Sequence, residues 1–193
     1  MQIKIPYTPR KHQAFLHREI SRFRWNVLVC HRRFGKTVCM INHLIRSALL
    51  SKHKNPRFAY IAPTFKQAKS IAWDYMKQFT AKIPHTKFNE TELRVDLPNG
   101  SRITLLGSEN SDGLRGIYLD GCVIDEYANV NERLFPEIIR PALSDRKGYC
   151  VFIGTPQGMN NNFYELYQHA QGAEDWFNYK AKASETKIVD EEE

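Results

Sequence analysis

The sequence predicts an α/β chain: a mostly parallel sheet flanked by helices. Three observations carry that prediction. Short apolar runs recur at 26–30, 58–62, 120–124 and 149–153, the signature of strands buried on both faces. Stretches with apolar residues at helical spacing separate them. The segments with chemically active side chains come directly after the runs, at what would be strand carboxyl ends, where ligands bind in such sheets.

Each element has its own reason. Residues 10–23 are compatible with a helix, and 26–30 (NVLVC) read as a strand. From Gly35 to about Leu50, Val38, Ile41, Leu44, Ile45 and Ala48 recur at helical spacing. Residues 58–62 form a strand that stops at Pro63, and Thr64 is the N-cap of a helix running to about Phe79. Between 91 and 107, Leu93, Val95 and Leu97 alternate, Pro98-Asn99-Gly100 turns the chain, and Ile103 to Leu106 return as a hairpin. A strand at 120–124, a helix at 131–143 interrupted near Pro141, a strand at 149–153, a helix at 160–170 and a late strand at 176–183 complete the pattern.

The chain has 193 residues, 42% hydrophobic and 25% charged, ordinary for a globular protein. That composition excludes collagen-like, mucin-like and wholly disordered classes, and the length supports one core without staples. The apolar runs are too short to span a membrane, and the start Met-Gln-Ile-Lys-Ile-Pro has no signal core, so no secretion is expected. Cys30, Cys39, Cys122 and Cys150 form no C-x-x-C pair, so a zinc site is not expected and the thiols should be reduced; Cys30, Cys122 and Cys150, in or beside apolar runs, read as small buried strand residues. The net charge of +7 is uneven: residues 1–66 carry +13 and residues 67–193 carry −6. A basic first third suits a polyanion, either nucleotide phosphate or nucleic acid, or simply a solvated face.

The strand at 26–30 runs through His31-Arg32-Arg33-Phe34 into Gly35-Lys36-Thr37, where a helix begins. That is the setting of a phosphate-binding loop, because helix-start N–H groups and the helix dipole both favour an anion. Gly35 allows close backbone approach, Lys36 reaches the β- and γ-phosphates, and Thr37 ligates Mg²⁺. The general pattern G-x-x-x-x-G-K-T asks for glycine at position 30, where this chain has Cys30. Downstream, Asp125 and Glu126 end the strand at 120–124. Asp125 would hold Mg²⁺ through water, and Glu126 would polarise the attacking water, the two roles that phosphate hydrolysis requires.

With these motifs in order, the sequence resembles the ATPase domain of the large terminase subunit, the DNA-packaging motor of tailed bacteriophages, over about residues 5–183. Members of that family often replace the first loop glycine and carry arginines inside the loop, as Cys30-His31-Arg32-Arg33-Phe34 does. Tyr7-Thr8-Pro9-Arg10-Lys11-His12-Gln13 resembles its adenine-reading segment, so Gln13 would pair with the adenine edge while Tyr7 or Arg10 packs on the base. Residues 60–68 (YIAPTFKQA) resemble a block shared with helicases, 113–116 (GLRG) the family's Arg-Gly segment, and 152–156 (FIGTP) its coupling motif.

The resemblance implies a P-loop NTPase fold of the additional-strand, RecA/helicase-like type, using ATP and Mg²⁺. It assigns nucleotide binding to Tyr7, Arg10, Gln13, Arg32, Arg33, Phe34, Gly35, Lys36 and Thr37, metal binding to Thr37 and Asp125, and catalysis to Glu126. Thr155 would sense the γ-phosphate and couple hydrolysis to movement. Arg115 is the candidate finger supplied to a neighbouring subunit and Arg32 a mobile loop arginine acting in cis, whereas Arg33 reads as an ion-pairing residue, not a catalytic one. The implied partners are double-stranded DNA, a portal ring, a small terminase subunit and further copies in a ring, a pentamer by family resemblance. The implied location is the infected host's cytoplasm, on the procapsid portal. The expected organisation is an ATPase domain at 1–183 and, at 184–193, an acidic tail or a linker toward an RNase H-like nuclease domain that is expected to be absent here. Two alternatives stand beside this reading: a helicase-like remodelling ATPase, and a nucleic-acid-binding module with a vestigial nucleotide site.

Overall fold

The strand β1 (Trp25–Cys30) is buried along its whole length, between β7 (Tyr149–Gly154) and β8 (Trp176–Ala181), and is parallel to both. The computed structural model describes residues 4–186. Around β1 an eight-stranded sheet forms in the order β3-β4-β5-β2-β6-β7-β1-β8. Its other members are β2 (Arg57–Ala62), β3 (Lys87–Asn89), β4 (Arg94–Asp96), β5 (Arg102–Gly107) and β6 (Gly121–Ile124). From β5 to β8 every pairing is parallel; only the β3-β4-β5 meander at one edge is antiparallel. The expected α/β class and the additional-strand order are both present: β7 lies between the phosphate-loop strand β1 and the acidic strand β6.

One face of the sheet is covered by α1 (Lys11–Ile20), α2 (Lys36–Leu50) and a long helix whose two α segments are α3 (Phe65–Ala68) and α4 (Asp74–Thr80). Thr64 caps this helix as expected: its hydroxyl accepts from Gln67 N–H (3.1 Å) while Gln67 Oε1 accepts from Thr64 N–H (3.1 Å). A π turn at Lys69–Trp73 widens it, which the periodicity did not reveal. The other face is covered by a second helix with a π turn at Phe135–Ile139 running into α5 (Arg140–Ser144), and by α6 (Asn162–Gly172). The expected interruption near Pro141 is instead this wide turn just before it. Proline lacks the N–H of the regular ladder, and the helix continues to Ser144.

Alternating strand residues feed two cores, Leu28 and Tyr60 facing the α2 side and Val27 and Ile61 the α6 side. The hairpin at 91–107 is present as β4 and β5, with Gly100 at φ +84° in its turn. Strand β3 was not expected, because three mostly exposed residues carry no alternation. Asn161 caps α6, so that helix starts two residues later than the apolar pattern suggests, and β8 ends at Ala181, before the expected 183. All four cysteines are free and buried: Cys30, Cys122 and Cys150 on strands as anticipated, and Cys39 on α2; Cys122 and Cys150 lie side by side on β6 and β7. A short helix α7 (Ala183–Thr186) crosses the expected boundary at 183/184, and Asp190–Glu193 lie outside the described residues. Among the described residues no helix is long and apolar enough to cross a membrane.

Candidate active site

Because β1, β7 and β6 are parallel neighbours, the loops after them emerge on one edge of the sheet. That topology brings three sequence-distant segments together: 31–37, 125–126 and 155.

The first is a tight loop. Phe34 folds under it, 1% exposed, against the rings of His31, His12 and Tyr179. Phe34 therefore anchors the loop from below, and a nucleotide contact from this residue would fall to its backbone. Arg33 (φ 64°) and Gly35 (φ 83°) are both left-handed. A Cβ at Gly35 would lie 3.0 Å from Gln13 Nε2, so glycine is required here by conformation and by space. His31 Nδ1 donates to the Arg32 carbonyl (2.6 Å) while Nε2 meets the Thr186 hydroxyl at 2.7 Å, tying the loop to α7. Lys36 and Thr37 open α2.

Gln13 is nearly buried and braces this loop. Its Oε1 accepts from Arg10 N–H (2.9 Å) and its Nε2 donates to the Gly35 carbonyl (3.2 Å). Both ends of the amide are engaged with backbone, which fixes the side chain and leaves one Nε2 hydrogen and one Oε1 lone pair for an adenine edge. Arg10 is exposed, and its Nη1 reaches within 3.9 Å of a Cβ built on Gly35. Tyr7 is turned toward the helices: its hydroxyl meets His17 Nε2 (3.0 Å) and its ring packs edge-on against Phe79. Arg32 is exposed on the loop. Arg115 is more than half exposed, with Nη2 3.8 Å from Glu137 Oε2.

The acidic pair is held differently at its two members. Asp125 is 2% exposed; its N–H donates to the Ile61 carbonyl (2.7 Å) and its carboxylate accepts from the Tyr60 hydroxyl and from Glu126 N–H (2.9 Å). Burial pushes the Asp125 carboxyl above the ordinary carboxylate range, and the Tyr60 bond opposes that rise. Glu126 adopts φ 46°, ψ 49°, a left-handed conformation costing about 1–2 kcal/mol in a residue with a Cβ. The carboxylate thereby meets Lys36 Nζ at 3.1 Å and accepts from the Thr155 hydroxyl at 3.4 Å. Lys36, Glu126 and Thr155 are thus joined in one cluster, with Thr155 delivered by the strand between the other two.

Tyr60 is the site residue that sequence reasoning missed. It is fully buried on β2, and its hydroxyl donates to Asp125. Burial and the Asp125 charge hold this phenol protonated, well above its ordinary range, so it acts as a donor. The available signal was a hydroxyl inside an otherwise apolar run, FAYIA, since a buried phenol must find a partner. Tyr60 holds Asp125, one of the two groups expected to face Mg²⁺ with Thr37. Among the described residues no group of three or more His, Cys, Asp or Glu gathers to hold a metal by itself. A hydroxyl and one carboxylate suit a Mg²⁺ that keeps waters and takes its remaining ligands from substrate phosphates.

Comparisons with known proteins give the family and the fold. Residues 29–189 match the family model described as terminase large subunit, T4likevirus-type, N-terminal. The large terminase subunits of Thermus phage G20c and Thermus virus P23-45 are each 27% identical over 180 residues, covering 83% of this chain and 36% of their own length. The chain therefore spans about a third of those curated relatives. Among solved structures, the large terminase ATPase domain of Thermus phage P74-26 superposes with a TM-score of 0.78 at 24% identity, covering 94% of this chain and 84% of that one. The large terminase of another thermophilic bacteriophage, in complex with ADP, gives 0.79 at 15% identity, covering 96% and 48%. At those identities the structural likeness carries the fold, while the family model, matching most of the sequence, carries the kinship: the chain belongs to the T4likevirus-type large terminase N-terminal family.

Proposed function

We propose that this chain hydrolyses ATP with Mg²⁺ and, as part of a packaging motor, uses the energy to move double-stranded DNA into a procapsid. The single observation that carries the reading is the Lys36–Glu126–Thr155 cluster at the phosphate loop. Complexes of the second thermophilic-phage relative with ADP and with ATP-γ-S support nucleotide as the ligand.

The chain's own groups divide the work. Loop N–H groups between His31 and Thr37 cradle the phosphates at the start of α2, and Arg10 lies beside Gly35 where base or ribose would pack. Lys36 exchanges its Glu126 partner for phosphate oxygens, which frees the Glu126 carboxylate to accept a proton from the attacking water. Thr37 and Asp125 would hold Mg²⁺, with Tyr60 fixing the Asp125 carboxylate. When bound, Mg²⁺ neutralises charge on the β- and γ-phosphates. Thr155, bonded to Glu126, is placed to register whether that carboxylate is paired with Lys36 or released. Arg115, held at the surface by Glu137, suits donation to a neighbouring copy, and Arg32 suits a cis role. The portal ring, the small terminase subunit and a homo-oligomeric ring, a pentamer by kinship, complete the assembly.

The test is Mg·ATP hydrolysis per subunit across a wide range of protein concentration. Activity that climbs with concentration and vanishes in Glu126→Gln supports a motor completed by its neighbour. Flat activity transfers the arginine role to Arg32, and ATP binding without turnover under every assembly condition sinks the reading.

A further inference from the structure

The four neighbouring strands β2, β6, β7 and β1 are parallel, so the residues preceding them converge on one face as surely as the residues following them do. The nucleotide residues lie at the carboxyl ends. At the amino ends, about 20 Å away along a six-residue strand, lies a basic concavity of about 470 Å³. Arg22 and Arg24 precede β1, Arg146 and Lys147 precede β7, and Lys52 and Lys54 precede β2.

These charges fall into two kinds. Arg24 is fixed by donating to the Gly148 and Leu143 carbonyls (3.0 and 3.2 Å) and by stacking over Trp25, and Arg146 by donating to the Lys54 carbonyl (3.0 Å) and stacking over Tyr118. Carbonyls hold Arg24 without neutralising it, whereas Arg146 Nη1 also lies 3.7 Å from Asp120 Oδ1 and shares that carboxylate's charge. Lys52, Lys54 and Lys147 are exposed and form no ion pair with any described carboxylate. Acids do not cancel the face. Asp120 is enclosed and engaged by His53 Nδ1 (2.5 Å), Arg57 N–H (2.7 Å) and Arg146 Nη1 (3.7 Å), and Glu19 is paired with Arg18 and Arg22, so neither acid reaches the three lysines. Nothing in the described fold uses the three ammonium groups.

We propose that this amino-terminal face of the sheet is a docking surface for the phosphate backbone of double-stranded DNA, with Lys52, Lys54 and Lys147 as the contacting cations and Arg24 and Arg146 as fixed ones. The inference rests on the DNA-moving reading and deepens it, by placing DNA on the sheet edge opposite the nucleotide. Three strand spacings from β2 to β1 cover about 14 Å, matching about four phosphates along one strand. Charges dispersed over separate turns suit a polymer better than one small anion. A face with little exposed apolar surface besides Leu50 lacks the apolar core of a protein interface.

The test is fluorescence anisotropy of a labelled duplex of random sequence against salt concentration, with the wild-type chain and the variant Lys52→Gln/Lys54→Gln/Lys147→Gln. Thermal melts and binding of a fluorescent ADP serve as fold controls. The expected result is a wild-type salt slope that shrinks by up to about 3 in the variant, and affinity lower by roughly tenfold or more near 0.1 M salt, with ADP binding unchanged. Wild-type binding that survives the triple substitution, or that is lost instead in Lys66→Gln/Lys69→Gln, overturns the surface and leaves the DNA-moving reading standing. Equal, equally salt-dependent binding of polyglutamate overturns it in favour of an acidic protein partner. No duplex binding by the wild type, alone or with nucleotide, overturns the inference together with the DNA part of the proposed function.

Discussion

Removing the Glu126 charge will abolish turnover and, at the same time, tighten nucleotide binding. Lys36 Nζ lies 3.1 Å from Glu126 Oε1, with side chains 17% and 26% exposed. At that distance an effective dielectric of about 20 gives roughly 5 kcal/mol of Coulomb attraction, most of it offset by desolvation and side-chain ordering. Pairs this accessible retain about 1 kcal/mol net. Incoming phosphate must compete against that sum for Lys36, so Glu126→Gln returns it as affinity, roughly fivefold tighter binding of a non-hydrolysable ATP analogue. Turnover falls about 10²–10⁴-fold because the base is gone. Titration with a fluorescent analogue, repeated with Lys36→Met and the double variant, isolates the pair. If Glu126→Gln binds no tighter than wild type, or gains equally when Lys36 is absent, the competition argument fails.

Four further outcomes are expected. Tyr60→Phe keeps the ring but removes a donor from the buried Asp125 carboxylate; chemical denaturation should show a loss of about 1.5–3 kcal/mol, and Mg²⁺-dependent ADP binding should need more Mg²⁺. Unchanged stability and an unchanged Mg²⁺ requirement would remove Tyr60 from the site. Gly35→Ala, at φ 83° and 3.0 Å from Gln13 Nε2, should cost about 1–2 kcal/mol and weaken ADP binding, read by melting and titration. Arg115→Ala should leave ADP affinity intact while suppressing the concentration-dependent part of ATP turnover. The stacked pair His17–His43 should make the fold acid-sensitive. Burial holds His17 at about 4 and His43 at about 3, below the ordinary 6.5, so the unfolded chain binds more protons in mild acid. Their contribution is complete above pH 6.5 and is lost on acidification toward about 4, up to about 2 kcal/mol per histidine by pH 5. His17→Gln should flatten the melting temperature between pH 7 and 5, and an unaltered slope would refute the assignment.

The sequence by itself determined the layered α/β class, because strands buried on both faces must be continuous apolar runs such as VLVC and CVI. It also marked Gly35-Lys36-Thr37 and Asp125-Glu126 as the candidates for phosphate chemistry, because each is a local string at a strand end. Elements without such local marking were illegible: β3 has no alternation, and the π turns at 69–73 and 135–139 reflect packing rather than composition. Strand order was decided only by tertiary structure, since the pattern of one buried parallel strand is much like that of another. Only that order places Thr155 between Lys36 and Glu126, brings Tyr60 from β2 to Asp125 on β6, and gathers Lys52, Lys54 and Lys147 on one face. The same packing turned Tyr7 to His17 and engaged Gln13 with Gly35, because side-chain direction depends on neighbours that are far away in the chain.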